Sequence, residues 1–284
     1  MSRLFPRLSA VAVVAALVLA GCGGAQPAAT LRPTAATITS TPAPRPLSGK
    51  FTVFAASSLT ESFKAIGAAF QQGNPGVTVE FNFGASSALA TQIDQGAPAD
   101  VFASADAANM DKVAAKALID GAPVAFARNT PVIVVPAENR AKIEAPRDLA
   151  KPGVKIVLAA ADVPIGNYAR QVIDRLTADP AYGAAFKDAT LRNVVSNEAN
   201  VRAVLTKIEL GEADAGIVYR TDAAVSGAKV RTVALPDAAN VIATYPIAVV
   251  QAARQAEAAR AFVAFVRSAE GQRLLRTAGF DPAP

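Results

Sequence analysis

The sequence predicts an α/β protein of two lobes, each a mostly parallel sheet flanked by helices. Three observations lead there. From residue 49 onward, short apolar runs alternate with helical patterns, an order that sets helices on the faces of a parallel sheet. That part of the chain is about 235 residues long, which suits one large or two smaller α/β units. The rhythm also runs twice, with a break near Pro131 and a last strand at Tyr245, and this fits two interleaved lobes better than one sheet. The expected lobes are residues 49–130 plus 245–284 and residues 131–244.

Each element follows from its pattern. Phe51 to Ala56 reads as the first strand. Leu59, Phe63, Ile66 and Phe70 then fall at steps of four, three and four, one face of a helix. Ser58 with Glu61 three residues later makes a capping-box pattern at its start. Val77, Val79, Phe81 and Phe83 alternate as a half-buried strand; Leu89 and Ile93 mark a helix that stops near Gly96. Asp100 to Ala103 and Pro131 to Val135 are further strands. The second rhythm has a strand at Val154 to Leu158, a helix on Tyr168, Val172, Ile173 and Leu176, another on Val201, Leu205 and Ile208, and a strand at Ala215 to Tyr219. Tyr245 to Val250 is the last strand, followed by one helix carrying Phe262, Phe265, Val266 and Leu274.

The N-terminus reads as a lipoprotein signal, residues 1–21. Arg3 and Arg7 form its basic region and Ala10 to Ala20 its apolar region, too short for an ordinary membrane span. Leu19-Ala20-Gly21-Cys22 matches a lipobox. Cys22 is the only cysteine, so no intrachain disulfide is available. Acylation there is expected to anchor the protein on the outer face of the cell membrane, its only contact with the bilayer. Residues 22–48 carry five prolines among Ala, Thr and Ser without periodicity and read as a tether.

Composition narrows the chemistry. The net charge of +5 falls to +3 once Arg3 and Arg7 are removed, and scattered cations with few aromatics do not suggest nucleic acid. The chain has no histidine, which excludes a Ser-His-Asp triad and any histidine metal site. No Walker pattern or clean G-x-G-x-x-G follows a strand. Gly84-Ala-Ser86-Ser-Ala88 is only superficially a nucleophile elbow, since Ala88 replaces the second glycine and no base is at hand. Ser226-Gly-Ala-Lys229 matches S-x-x-K by chance, in a polar loop between strands. What stands out is a serine pair that follows an apolar strand twice and opens a helix each time, at Ser57-Ser58 and Ser86-Ser87. Helix starts carry unpaired N–H groups and a positive dipole end, so two such turns facing one another would make an anion site without formal positive charge. Taken singly, each turn is also an ordinary cap. Tyr219, at a strand's carboxyl end, could aim its hydroxyl inward or lie in the core.

Several segments carry a family resemblance. Phe51-Thr-Val-Phe-Ala-Ala-Ser-Ser-Leu-Thr60, Phe83-Gly-Ala-Ser-Ser-Ala-Leu-Ala90, Gly96-Ala-Pro-Ala-Asp-Val-Phe-Ala-Ser-Ala-Asp106, Val163-Pro-Ile-Gly-Asn-Tyr-Ala169, Gly216-Ile-Val-Tyr219 and Tyr245-Pro-Ile-Ala-Val249 span the folded part in order. The chain resembles the substrate-binding lipoproteins of bacterial molybdate ABC transporters. That resemblance implies a class II periplasmic-binding fold that holds molybdate, and also tungstate, between its lobes through neutral donors. It implies no cofactor, no direct protein–metal ligand, no catalytic residue, a monomer, and an ABC permease and ATPase as partners. Carried over by position, Ser58 and Ser86 would give hydroxyl and backbone donors, Ile165 and Val201 each a backbone N–H, and Tyr219 its hydroxyl. Ile165 departs from a commonly small residue and Asn200 from a commonly acidic one; a backbone donor tolerates both. The rival expectations are a receptor for sulfate or phosphate and a surface hydrolase using Ser86.

Overall fold

Gly49–Ala56 forms β1, whose register against β2 (Val77–Gly84) is parallel throughout. A single 3₁₀ turn at Ser57–Leu59 and then α1 (Thr60–Gly73) join them. This computed structural model describes residues 46–283; the expected signal segment, Cys22 and nearly all of the tether lie outside the described residues. After α2 (Ser86–Asp94) come β3 (Val101–Ala103), α3 (Ala107–Ala114) and the long β4 (Ile119–Asn129). Only Thr130 separates β4 from β5 (Pro131–Pro136), where the chain passes to a second sheet. There follow β6 (Ile156–Ala159), α4 (Pro164–Ala178), α5 (Phe186–Arg192), β7 (Val194–Glu198), α6 (Val201–Glu209), β8 (Ala215–Tyr219), α7 (Arg220–Ser226) and β9 (Val230–Val233). β10 (Ala243–Val250) returns to the first sheet, followed by α8 (Ala256–Arg267), α9 (Ala269–Thr277) and the short β11 (Asp281–Pro282).

The first sheet runs β11-β4-β10-β3-β1-β2 and the second β7-β6-β8-β5-β9. This two-sheet α/β architecture is the expected one, but the sheets are mixed rather than mostly parallel. β1 pairs in parallel with β2 and β3, and β6 with β7 and β8; the pairings of β4, β5, β9, β10 and β11 are antiparallel. In the first sheet β10 and β11 run against the other strands, and in the second sheet β5 does. β4 has no counterpart among the sequence expectations, because Gly121 and Pro123 interrupt its alternation.

Aromatic packing ties strand to helix in the first lobe. Phe262 of α8 meets Phe51 of β1 and Phe70 of α1 at ring-centroid distances of 5.5 and 5.4 Å, both edge-on, a geometry that adds about 0.5–1.5 kcal/mol per pair beyond burial. The expected single C-terminal helix is two. Ser268 breaks it, its Oγ accepting the Gly271 N–H at 3.2 Å, and a Cβ on Gly271 would lie 2.2 Å from the Phe265 carbonyl oxygen. Asp100, in the Gly-Ala-Pro-Ala-Asp segment, is structural: its buried carboxylate accepts the N–H groups of Thr52 at 2.8 Å and Gln255 at 3.0 Å, joining β1 to the approach of α8. Among the described residues no helix is long and apolar enough to cross a membrane.

Candidate functional site

The carboxyl ends of β1, β2 and β3 in one sheet and the starts of α4 and α6 beside the other converge on one cavity. Ser58, Ser86, Ile165, Val201 and Tyr219 all line it. The remaining lining residues are Ala56, Ser57, Gly84, Ala85, Ala105, Val163 and Pro164, so no side chain in its wall carries a charge or can act as a general base. The five expected residues are buried, none more than 4% exposed. Only about 10 Å³ is open to the centre of a water molecule, room for roughly one water. Anything larger must enter while the lobes are parted.

The local sequence makes these groups donors. Ser86 opens α2, and its Oγ accepts the Ala105 N–H at 2.9 Å, which leaves its own proton free. Ser58 sits in the 3₁₀ turn with its Oγ 3.0 Å from the Tyr245 hydroxyl. The expected capping box is therefore absent: α1 has no side-chain cap, Ser58 turns to Tyr245, and Glu61 turns to Arg202. Pro164 begins α4 and Asn200 caps α6, its Oδ1 accepting the Ala203 N–H at 3.0 Å. The N–H groups of Ile165 and Val201 lie in first turns that have no intrahelical acceptor, and among the described residues neither finds another.

Tyr219 is fully buried, and its hydroxyl has no hydrogen-bond partner among the described residues. Burial first, then neighbouring Tyr245 and Tyr168, push this phenol well above its ordinary range, so it remains a protonated donor. Its ring packs edge-on between Tyr168 and Tyr245, with centroids 6.4 and 5.8 Å away.

Sequence reasoning missed Tyr245, which does not line the cavity but holds the Ser58 hydroxyl that does. It reads as a strand residue and as the start of a family-matching segment, and no spacing signal places it against Ser58, 187 residues earlier. Ser226 and Lys229 form no site with each other: the first ends α7, the second lies in a short 3₁₀ turn, and both approach Glu209. A roomier cavity of about 290 Å³ lies beside the end of β5. Its cations already pair with its own acids, Arg140 with Glu138 and Lys229 with Glu209, and it is remote from the strand ends that gather the free donors.

Charge is confined to the flank of the small cavity. Arg202, next to Val201, donates through Nη1 to Glu61 Oε1 at 3.0 Å and through Nη2 to Glu61 Oε2. Its Nε also lies 2.6 Å from Asp222 Oδ1, although the N–H is not aligned along that contact. Burial raises the Asp222 carboxyl to about 6 against the opposing pull of Arg202.

The comparisons with known proteins agree with this architecture. Residues 51–281 match the family model of the bacterial extracellular solute-binding proteins. The molybdate-binding protein ModA of Mycobacterium tuberculosis is 44% identical over 272 residues, covering 94% of this chain and 95% of its own. Two solved structures share the fold: the sulfate-binding protein SubI of M. tuberculosis, at a TM-score of 0.73, 22% identity and coverage of 82% and 87%, and the periplasmic molybdate-binding protein of Azotobacter vinelandii, at 0.71, 18% identity and coverage of 82% and 100%. A fold with two sheets meeting at a donor-lined cleft, matched along nearly its whole length, places this chain in the family of bacterial extracellular solute-binding proteins, beside the ModA molybdate-binding proteins.

Proposed function

We infer that the protein binds molybdate outside the cytoplasm and delivers it to the permease and ATPase of an ABC importer. The observation that carries this reading is the convergence of neutral donors, with the orphaned Tyr219 hydroxyl among them, on one cavity without a charged wall. Molybdate at neutral pH is a dianion that only accepts hydrogen bonds. Burying it requires many oriented donors in place of water, and Ser58, Ser86, Ile165, Val201 and Tyr219 are proposed to provide them. Protonated phosphate would reward an acceptor carboxylate, and none lines the cavity. Sulfate meets the donors equally well in charge and differs in being smaller; the likeness to ModA proteins favours molybdate. Tungstate, nearly the same size as molybdate, is proposed as a second ligand, and acylated Cys22 as the anchor. Binding rather than ester hydrolysis follows from Ser86 having no base beside it.

Calorimetry with molybdate, tungstate, sulfate and phosphate tests the reading. Tight binding of the first two alone is expected; tight sulfate or phosphate binding with no heat from molybdate would overturn it. Tyr219→Phe separates binding from folding. It removes a hydrogen bond to an anion, worth ~1.5–3 kcal/mol, so affinity is expected to fall by about ten- to a hundred-fold. It also removes a buried hydroxyl that lacks a partner in the free protein, so thermal melts of the ligand-free variant should match or exceed the wild type.

A further inference from the structure

The guanidinium of Arg202 is held between the lobes. Glu61 belongs to α1, beside the first sheet, and Arg202 and Asp222 belong to α6 and α7, beside the second. The two acids differ in exposure. The Asp222 side chain is completely buried, Arg202 is 24% exposed, and Glu61 is 47% exposed. We propose that Glu61 and Arg202 form a detachable latch across the mouth of the cleft, which holds the lobes closed over the bound oxyanion; this rests on the oxyanion reading above.

Three observations support it. Glu61 lies three residues after Ser58 and Arg202 directly after Val201, so the pair spans the two walls of the cavity and must break when they part. Opening leaves Arg202 beside Asp222 within one lobe, so the buried carboxylate keeps its partner and only the exposed acid is released. That is the inexpensive half to separate, because breaking a buried pair is far costlier than breaking an exposed one. Among the described residues the other ion pair between the sheets, Arg220 to Asp281 at 2.9 Å, sits differently: the Arg220 N–H donates to Thr130 O at 2.9 Å, at the crossover where the sheets remain joined. The latch also pairs Arg202, the cation next to Val201, so Arg202 sets lobe closure rather than attracting the ion.

Glu61→Gln in the full chain tests this by the sign of its effect. Removing a negative charge three residues from an anion site should tighten binding if only through-space electrostatics matters. The latch requires the opposite: molybdate affinity about three- to five-fold weaker, the upper range for an exposed pair, and weaker still in Glu61→Lys. Glu80→Gln breaks the exposed Lys50–Glu80 pair, 2.9 Å long within the first sheet, and should change nothing. Unchanged or tighter binding in Glu61→Gln, or an equal loss in Glu80→Gln, would overturn the latch. If the wild type binds no molybdate, the ligand reading fails and small-angle X-ray scattering of the ligand-free chains decides: Glu61→Lys is expected to raise the radius of gyration, and an unchanged radius would overturn the latch.

Discussion

Replacing Ser58 and Ser86 together by alanine is expected to weaken molybdate binding by about two to four orders of magnitude, and to lower stability as well. The affinity loss follows from two hydroxyl donors to an anion, each worth ~1.5–3 kcal/mol. The stability loss follows from what the same oxygens do in the free protein. Ser86 Oγ satisfies the N–H of buried Ala105, and Ser58 Oγ pairs with the buried Tyr245 hydroxyl. Alanine strands both partners, and each stranded group costs ~1–3 kcal/mol. The two serines are thus structural and functional at once, unlike Tyr219, whose hydroxyl supports nothing inside the protein. Calorimetry alongside thermal melts of the double variant and of Tyr219→Phe should show the contrast: affinity and melting temperature fall together in the first and separate in the second. A double variant that binds like the wild type would remove these serines from the site.

How much of this was legible in the sequence depended on whether the signal was local. α1 announced itself because Leu59, Phe63, Ile66 and Phe70 repeat at helical spacing, and all four are core residues. Ser58 and Ser86 could be named because a serine pair opens a helix straight after a strand, and turn chemistry is written locally; Ile165, Val201 and the donor role of Tyr219 came only with the family resemblance. Pairings made across the fold were not legible. The Ser58–Glu61 spacing fits a capping box, yet both side chains are taken by tertiary partners, Tyr245 and Arg202. Strand direction escaped for the same reason: nothing within Tyr245 to Val250 says that it runs against β3 and β4. β4 itself is held by its neighbours despite Gly121 and Pro123, and its pairing with β10 is bulged where the alternation fails.

Gly166→Ala is expected to damage fold and site together, by a route that no side-chain contact reveals. A Cβ at this position would lie 2.0 Å from the Ala160 carbonyl oxygen and 2.5 Å from that of Ala159. Both are backbone atoms at the end of β6, so no rotamer change relieves the clash. Alanine would ordinarily favour a helix interior over glycine by ~1 kcal/mol, but here the start of α4 must lift away from the strand by roughly the missing ångström. The Arg170 guanidinium, which bridges Ala159 O at 3.0 Å and Gly166 O at 2.8 Å, would lose its geometry in the same movement. A destabilisation of about 2–4 kcal/mol follows from comparable overpacking and lost contacts, which lowers the melting temperature by on the order of 10 °C in a protein of this size. Because Ile165 immediately precedes Gly166, its N–H moves with the helix start, and misplacing a donor by about an ångström is expected to cost at least ten-fold in molybdate affinity. Gly73→Ala is the matching control, since a Cβ there meets nothing within 4 Å, and it should keep both the melt and the titration of the wild type. If Gly166→Ala does the same, the close approach of α4 to β6 is not what sets the Ile165 donor.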